Sequence, residues 1–459
     1  MKKFLLLFVF IFSLTLSLKA GANPADLDTT FGISGKVVEN VGPSDRIFTL
    51  AMQSDGKILS GGAASNGVDD DLVLLRFLPT GELDSTFGNG GRVISNFGEN
   101  EGAVKIFSLP SGKILAVGTA ETTNNGNFLL ARYNSDGTLD ASFGSGGTTV
   151  SDLGSFERVI SATLYPDGKI LVTGAQLGGG VTDVALARYD ANGNLDGTFG
   201  SGGIVIQDFG GSETAGGVAL QSGEKILISG DFSDGGNSDF ALFRFEGDGL
   251  PDLSFGTDGK VRTDIATIDV ESALTVQNDG KLVLVGSAGE TDSSGSFAIL
   301  RYNPDGSLDS GFGTDGKVVT NFGSSALATA VALSSDGKII VAGFAVMAPP
   351  PNPLELNIFV VRYESNGDLD TSFGSDGKAE FNFGTFELAN ALALQADGKI
   401  LVAGNQDDDF LVFRLADSGT GGGCQLSKDQ AVFTPLSLGL LALSLLSMRA
   451  LLLKSTQRK

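Results

Sequence analysis

Short apolar segments alternate with glycine-containing turns along the middle of the chain. In one stretch the segments are residues 92–97, 102–109, 113–118 and 128–134, which are rich in Val, Ile, Leu and Phe. Residues of these types favour β-strands, and the Asp-Gly and Ser-Gly pairs between segments provide the positive φ that tight hairpins require. No helical period is sustained, so the pattern predicts four strands in this stretch.

The four-strand pattern recurs at a nearly fixed spacing, which three landmarks make visible. The first is the Phe of a Phe-Gly pair, found at Phe31, Phe87, Phe143, Phe199, Phe255, Phe312 and Phe373. The second is a Lys that ends a turn, found at Lys57, Lys113, Lys169, Lys225, Lys281, Lys338 and Lys399. The third is an Arg, found at Arg76, Arg132, Arg188, Arg244, Arg301, Arg362 and Arg414. Seven copies of about 56 residues predict an all-β fold, a seven-bladed β-propeller with four strands in each blade.

The order of the segments predicts how the propeller closes. By analogy with NHL-type blades, segment 102–109 is the innermost strand and segment 92–97 is an outermost one. The chain opens with an outer segment, 36–41, and ends with three inner segments within 390–415. The N-terminal strand is therefore expected to close the last blade, which removes the open sheet edge that would otherwise remain.

One copy reads Ala-Ile-Leu-Arg-Tyr-Asn-Pro-Asp-Gly at 298–306, Leu-Asp-Ser-Gly-Phe-Gly at 308–313 and Asp-Gly-Lys-Ile-Ile-Val-Ala-Gly at 336–343. These motifs resemble the delta-60 repeat family, and the resemblance covers about residues 26–416. Two copies depart from the pattern, one with Gly-Glu-Lys at 223–225 and one with Asp252-Leu253 in reversed order. The resemblance implies an exported bacterial propeller, and it implies no catalytic residues.

The first 22 residues have the three parts of a secretory signal peptide. A basic start at Lys2-Lys3 precedes the apolar run 4–18, and Ala20-Gly21-Ala22 offers a small-residue cleavage site. An uncleaved anchor fits less well, because small residues follow the run directly. We expect residues 1–22 to be removed and the propeller to occupy residues 23–417.

The other end also has three parts. Residues 418–430 form a Gly-rich linker that contains Cys424, and residues 431–459 combine an apolar stretch with a basic tail. A simple membrane anchor accounts for the apolar stretch and the basic end but not for Gly-Gly-Gly-Cys ahead of them. That arrangement resembles the Cys-containing, Myxo-type sorting tails of Gram-negative surface proteins. The resemblance implies a protein of the cell envelope or cell surface, with Cys424 as the sorting or anchoring residue.

Composition excludes several kinds of chemistry. The chain has no His and no Trp, and Cys424 is its single Cys. Ser-His-Asp and Cys-His catalysis, His-ligated zinc and an internal disulfide are therefore excluded. The formal net charge is −23, and the ends carry an excess of Lys and Arg, so the middle is more acidic still. Such a surface repels nucleic acid and favours cations or basic partners, although solubility alone is the preferred explanation.

No cofactor and no metal site is expected, with calcium at the turn 134–140 as the one candidate considered. This turn has Asp136, Gly137 and Asp140, but Arg132 stands where a calcium loop has its first ligand. Hydrogen bonding within an Asx-type turn explains the same residues without a metal.

Two of the landmarks are best explained by structure. The repeated Phe residues are expected to fill the core, since burying one ring contributes about 1.5–3 kcal/mol; a ring of aromatic ligand sites is the alternative. The repeated Arg residues need buried acceptors, and a polar residue stands five positions before each of them, for example Asp71 before Arg76. A structural hydrogen-bond network is favoured over an arginine site for substrate carboxylates.

An acidic residue stands twelve positions before six of the seven turn lysines. These six are Asp45, Glu101, Glu157, Glu213, Asp269 and Glu387. If the strand order is right, they line one mouth of the central channel and form an acidic ligand-binding rim. Alternatively, each caps its strand or pairs with an Arg of a neighbouring blade.

The segments between the third and fourth strands vary most, and one of them, 344–356, contains a Pro-rich protrusion. A rigid scaffold with variable loops is a common way to present a binding site. We therefore predict a non-enzymatic, exported binding or adhesion module for a cell-surface glycan, peptide or protein. A carboxylate-based carbohydrate-active enzyme and a structural surface-layer component are the alternatives. The asymmetric charges Lys105, Arg158 and Glu271 are the ones that could distinguish one blade from another.

Overall fold

The computed structural model describes residues 23–98, 100–122, 125–178, 180–291, 294–348 and 355–416. The proposed signal peptide 1–22, the linker 418–430 with Cys424 and the terminal segment 431–459 lie outside these residues. Within the described ranges, no helix has the length and apolar character needed to cross a membrane.

The described chain is built from β-strands, with one short 3₁₀ turn at Ser222–Glu224. The first fourteen strands are β1 Lys36–Glu39, β2 Asp45–Met52, β3 Ile58–Ser65, β4 Asp70–Phe77, β5 Arg92–Ser95, β6 Asn100–Ser108, β7 Ile114–Thr122, β8 Asn125–Tyr133, β9 Thr148–Ser151, β10 Phe156–Leu164, β11 Ile170–Gly178, β12 Val181–Tyr189, β13 Ile204–Gln207 and β14 Ser212–Leu220. The remaining strands are β15 Ile226–Ser233, β16 Ser238–Phe245, β17 Lys260–Thr263, β18 Ile268–Val276, β19 Leu282–Gly289, β20 Ser296–Tyr302, β21 Lys317–Thr320, β22 Ala326–Leu333, β23 Ile339–Ala348, β24 Glu355–Tyr363, β25 Lys378–Phe381, β26 Glu387–Leu394, β27 Ile400–Gln406 and β28 Asp409–Leu415.

The strands pair antiparallel in groups of four, as the sequence predicted. Sheets 1 to 6 are β2–β5, β6–β9, β10–β13, β14–β17, β18–β21 and β22–β25, each paired in chain order. One parallel pair, Ser238 with Ile268, links sheets 4 and 5. Sheet 7 contains β26, β27 and β28, and β1 joins it by pairing with β28 from Lys36 opposite Phe413 to Glu39 opposite Phe410. The predicted completion of the last sheet by the N-terminal strand is therefore observed.

Neighbouring sheets pack face to face through apolar clusters. The first strand of each sheet contacts the first strands of both neighbours, and β26 of sheet 7 contacts β2 of sheet 1. At that junction, Ile47 and Leu75 of sheet 1 share a core cluster with Leu401 of sheet 7. The seven Phe residues of the Phe-Gly pairs are all 0% exposed, which confirms their predicted place in the core.

Five of the seven repeated Arg residues are buried and Arg132 and Arg244 are partly buried, but their partners are not the residues five positions earlier. Each Arg donates from Nε to the Asp of the Leu-Asp pair, which lies eight residues later in the chain. The pairs with N···O distances of 2.6–2.9 Å are Arg76–Asp84, Arg132–Asp140, Arg188–Asp196, Arg244–Asp252, Arg301–Asp309, Arg362–Asp370 and Arg414–Asp28. Arg414 is the exception to the eight-residue spacing, because its partner Asp28 lies in the N-terminal segment. The backbone explains the choice, since the Asp84 N–H donates to the Arg76 carbonyl at 2.8 Å and sets the two side chains together.

Each of these pairs belongs to a larger arrangement, which we call the Arg–Asp–Phe cluster. In sheet 1, the Arg76 guanidinium lies 4.4 Å from the ring centre of Phe87, and Lys57 lies 3.4 Å from Asp84. The second guanidinium nitrogen of Arg76 donates to the carbonyl of Ser135, in a turn of the next sheet. A buried guanidinium needs such a full set of acceptors. The cluster therefore holds one sheet to the next.

The Asp of each cluster is held in its ionised form. Burial alone would raise the pKa of Asp84, but hydrogen bonds from Thr86 and the charges of Arg76 and Lys57 lower it to about 2. The pKa of Asp28 is also lowered to about 2, by hydrogen bonds from Thr30 and Lys399 and by the charge of Arg414. These carboxylates stabilise the fold above the pKa of an ordinary Asp, and that contribution is lost as the pH falls below about 4.

The substitution Asp252→Asn is expected to destabilise the protein by about 3–5 kcal/mol, because it leaves the largely buried side chain of Arg244 without its charged partner. Asp252 is 3% exposed and also pairs with Lys225 at 2.7 Å. Urea unfolding of the full chain, followed by circular dichroism, measures the loss. Exposed Asp258 in the same sheet, as Asp258→Asn, is the matched control and should change the unfolding midpoint little. Equal effects of the two substitutions would contradict the importance of the cluster.

Candidate functional site

The six acids of the predicted rim are buried rather than exposed. Their exposed fractions lie between 0% and 3% for Asp45, Glu101, Glu157, Glu213, Asp269 and Glu387. Asp45 accepts hydrogen bonds from the N–H groups of Val41 and Gly42, at 2.7 and 3.0 Å, and Glu387 accepts one from Phe383 at 2.9 Å. Five of the six acids, all but Glu101, thus bond to the connection that enters their sheet. The described residues form no solvent-exposed acidic ring from the six. A role of the six in ligand binding stays a prediction.

Burial makes five of these carboxyl groups harder to ionise. It raises the pKa of Asp45 to about 6 and that of Asp269 to about 7, although backbone N–H groups act in the opposite direction. Burial also raises the pKa of Glu101, Glu213 and Glu387. A buried carboxyl group of this kind ionises readily only where hydrogen-bond donors or a cation compensate its charge.

Glu271 breaks the repeat in the innermost strand of sheet 5. The equivalent positions of sheets 1 and 2 carry Ile47 and Ala103, whereas Glu271 is 1% exposed and accepts a hydrogen bond from Ser229 Oγ at 2.7 Å. Burial raises its pKa to about 8. A Cβ at Gly216 would lie 1.8 Å from Glu271 Oε2, so glycine at that position makes room for the carboxyl group.

An open pocket of about 250 Å³ lies at the mouth end of the innermost strands of sheets 1 to 3. Its lining includes Arg46, Phe48, Glu101, Gly102, Glu121 and Arg158. Of the asymmetric charges singled out in the sequence, Arg158 belongs to this pocket. Lys105 does not, since it is 5% exposed and lies 5.7 Å from the ring centre of Phe107.

The pocket exists because the middle one of three neighbouring strands has a glycine where the strands on either side have a long arginine side chain. Arg46, Gly102 and Arg158 occupy equivalent positions of β2, β6 and β10. A Cβ at Gly102 would already lie 3.3 Å from the Ala63 Cβ and 3.5 Å from the Phe48 ring. The missing side chain therefore exposes the Phe48 ring to the pocket.

The opposite part of the mouth is closed by apolar packing. The positions equivalent to Gly102 in sheets 5 to 7 are Val270, Leu327 and Leu388. These side chains pack with Phe344 and Leu356, which flank the Pro-rich segment of sheet 6. One side of the mouth is thus filled and the other is open and polar.

The pocket offers hydrogen-bond donors and acceptors without a large excess of either charge. Arg46 is paired with Asp70, and Arg158 lies 3.7 Å from Glu121, with both arginines partly exposed. Because the arginines are already paired, a free anion gains little there. A neutral ligand with many hydroxyl groups can bond to both partners of each pair and cover the Phe48 ring, and aromatic faces suit such ligands through their apolar surface.

The turn considered for calcium is explained by hydrogen bonds. Asp136 accepts from the N–H and Oγ1 of Thr138 at 2.9 and 2.7 Å. Asp140 is bound by Arg132 and Lys113, each at 2.6 Å. Asp136 Oδ1 is therefore used by the turn itself, and Asp140 Oδ2 by the Arg–Asp–Phe cluster.

Arg46, Phe48 and Gly102 are pocket residues that sequence reasoning missed. The signal was present, because aligning the seven copies shows Arg, Gly and Arg in the first three copies at a position that is apolar in the last three. The sequence did not show that this position faces the mouth, so the pattern could not be interpreted as a pocket.

Stacked four-stranded sheets whose first strands contact one another in cyclic order define a β-propeller. The comparison with family models agrees. Seven segments match the family described as "Domain of unknown function (DUF5122) beta-propeller", at residues 53–87, 109–143, 166–199, 224–255, 277–312, 355–373 and 395–420. Seven segments of the chain are thus similar to the β-propeller repeats of this family.

No curated protein matches the chain. Among solved structures, the polysaccharide lyase Uly1 is similar with a TM-score of 0.47 and 9% identity, covering 84% of this chain and 92% of that one. Drosophila semaphorin 2a has a TM-score of 0.49 and 8% identity, covering 86% and 76%. The Bombyx mori GH32 beta-fructofuranosidase BmSUC1 has a TM-score of 0.33 and 11% identity, covering 90% and 96%. These similarities carry no argument about the function of this chain.

Glu271 gives a pH-dependent test of the buried carboxyl groups. Because its folded pKa lies above that of an exposed Glu, its contribution to stability is complete below about pH 4 and is lost as the pH rises through about 8. Glu271→Gln is therefore expected to raise the free energy of unfolding at pH 9 by about 1–3 kcal/mol and to leave it nearly unchanged at pH 5. Thermal unfolding of the full chain at both pH values checks this. Exposed Glu82, as Glu82→Gln, is the control, and a gain at pH 5 as large as at pH 9 would contradict the assignment.

Proposed function

We propose that this chain is a closed seven-bladed propeller, exported and held at the cell surface, that binds a glycan without catalysing a reaction. The observation that carries the proposal is the break in the repeat at the channel mouth. There, Arg46, Gly102 and Arg158 create an open polar pocket, while the equivalent residues of sheets 5 to 7 are apolar and packed.

The chemistry of the pocket supports a carbohydrate over the other partners. Its charges occur as pairs, Arg46 with Asp70 and Arg158 with Glu121, which offer donors and acceptors side by side. Hydroxyl groups can use both kinds, and the ring of Phe48 can cover the apolar face of a sugar. The volume of about 250 Å³ lies below the roughly 300–1,000 Å³ of drug-sized sites, which favours the end of a glycan over a long polymer.

The repeated acids do not provide the unequal carboxyl pair that acid–base catalysis needs. Glycoside hydrolysis requires two carboxyl groups in different environments on either side of the bond that breaks. In the pocket, Asp70 and Glu121 are instead both paired with arginine. Glu101 also lines the pocket and its pKa is raised by burial, but it is only 3% exposed and offers little surface to a bound sugar. A binding role therefore accounts for these residues better than an enzymatic one.

Filling the pocket should abolish glycan binding. Gly102→Leu introduces at sheet 2 the side chain that sheets 6 and 7 carry at this position, and it is expected to weaken binding more than tenfold. Arg158→Ala is expected to weaken binding about tenfold or more, because it removes donors from the pocket. The measurement is binding of the full chain to a panel of immobilised glycans, followed by calorimetry with those that bind.

The matched control is Val270→Leu, a substitution at the equivalent position of sheet 5, which should leave binding unchanged. Binding that survives Gly102→Leu would remove the pocket from the proposal. Failure of every glycan to bind would overturn the glycan assignment. Release of shortened sugars from a bound glycan would show that the protein is an enzyme and would contradict the proposed non-catalytic role.

Export and anchoring rest on the terminal segments of the sequence. The surface-exposed protein is expected to begin near Asn23, and Cys424→Ser is expected to alter its attachment to the membrane fraction. Mass spectrometry of the isolated protein and fractionation of cells expressing each form test these expectations. An isolated chain that still begins at Met1 would contradict cleavage, and unchanged attachment of the variant would remove Cys424 from the anchor.

A further inference from the structure

Three carboxylates meet where sheet 3 joins sheet 4. Asp183 lies in β12, Asp208 follows β13 and Glu213 lies in β14. One oxygen from each lies within 4.8 Å of the oxygens of the other two. Two oxygens that bind the same calcium ion at 2.3–2.6 Å are at most about 5 Å apart, so this spacing fits a shared ion.

Buried oxygens in this group have no hydrogen-bond partner. Glu213 is 0% exposed, and its Oε1 accepts from the N–H of Gly211 at 3.0 Å while its Oε2 has no partner among the described residues. The Oδ1 of Asp183 is also buried and unpartnered in the described part of the chain. A buried carboxylate oxygen without a donor or a cation is costly, which points to a ligand that supplies positive charge.

Hydrogen bonds to the backbone fix carboxylates of this group and leave other carboxylate oxygens available to a ligand. The N–H of Gly210 donates to Asp208 Oδ1 at 2.6 Å, which holds that carboxylate in place. Burial and the neighbouring carboxylates raise the pKa of Asp183 and of Glu213. Lys260 is the cation whose charge acts on Glu213, but its Nζ donates to the Phe209 carbonyl at 2.9 Å, and the described contacts include no ion pair with the three acids.

At the other six junctions the residue equivalent to Asp183 carries or receives a nitrogen donor, although some oxygens there, such as Asp71 Oδ1, are also buried without a partner among the described residues. At two of them the residue equivalent to Asp183 is itself an amide, Asn127 or Asn357. At three more it receives a hydrogen bond from an amide, with distances of 2.6–3.4 Å for Asn66 to Asp71, Asn321 to Ser296 and Asn40 to Asp409. Within the described residues, Asp183 is the member of this set that has no such donor.

The one remaining junction, between sheets 4 and 5, provides the closest comparison. It also brings three carboxylates together, Asp239, Asp264 and Asp269. There Arg262 donates from Nε to Asp239 and supplies the positive charge. The residue equivalent to Arg262 in sheet 3 is Ile206, which lies opposite Ala185 as Arg262 lies opposite Ala241.

We propose that Asp183, Asp208 and Glu213 bind one calcium ion, which links sheet 3 to sheet 4. Carboxylate oxygens are the ligands that hard divalent cations prefer, and calcium tolerates an irregular set completed by water better than magnesium does. Asp208 is exposed, so an ion can reach the site from solvent. Three protein carboxylates with one open side suit the weak affinity of extracellular calcium modules, with a Kd of about 0.1–1 mM.

Calorimetric titration of the full, chelator-treated chain with calcium tests the proposal, together with thermal unfolding. One ion per chain is expected, with an unfolding midpoint that rises by about 2–4 °C at 10 mM calcium. Asp183→Asn and Asp208→Asn should each weaken binding at least tenfold. Asp264→Asn, in the cluster that Arg262 already neutralises, is the matched control and should leave binding unchanged.

Ile206→Arg gives a second test that does not depend on removing a ligand. It copies the arrangement of Arg262, and the variant is expected to lose calcium binding and to unfold at a higher temperature than the original chain in the absence of calcium. No binding up to 10 mM calcium, or binding that survives both Asp183→Asn and Asp208→Asn, would overturn the site. Loss of binding in Asp264→Asn alone would move it to the other cluster, and equal affinity for magnesium would overturn the choice of calcium.

Discussion

The structure depends on a buried arginine that no sheet can accommodate alone. In sheet 1, Arg76 bonds to Asp84, lies over the ring of Phe87 and donates to a carbonyl of the next sheet. An uncompensated guanidinium in the core would cost several kcal/mol, so the turn, the Leu-Asp-x-x-Phe-Gly motif and the neighbouring sheet must all be in place together. The landmarks of the repeat are the parts of this one cluster.

The same dependence explains how the ends of the chain are joined. Arg414, in the last strand, takes its carboxylate from Asp28 and donates to the carbonyl of Pro79 in sheet 1. β1 then pairs with β28 beside it. The seventh cluster can therefore form only when both ends of the chain meet, and the closure is held by a buried charge as well as by strand pairing.

A regular scaffold makes each departure from the repeat informative. Gly102 opens a pocket where other sheets carry apolar side chains, Glu271 introduces a carboxyl group into the core, and Ile206 leaves Asp183 without the arginine that its counterpart has. None of these changes disturbs the Arg–Asp–Phe clusters, which lie toward the other end of the strands. Function can thus vary at the mouth and at the junctions while the elements that hold the sheets together stay the same.

The sequence by itself determined the all-β fold, the four-stranded units, the core position of the Phe residues and the joining of the two ends, because period, turn glycines and apolar segments are local properties. It did not determine partners across strands. The aspartate of Arg76 proved to lie eight residues after it, and the six acids predicted for a rim proved to be buried beneath the connections between sheets. Whether a carboxylate faces solvent, an arginine or another carboxylate depends on side chains from adjacent strands and sheets. Only the tertiary structure brings those side chains together.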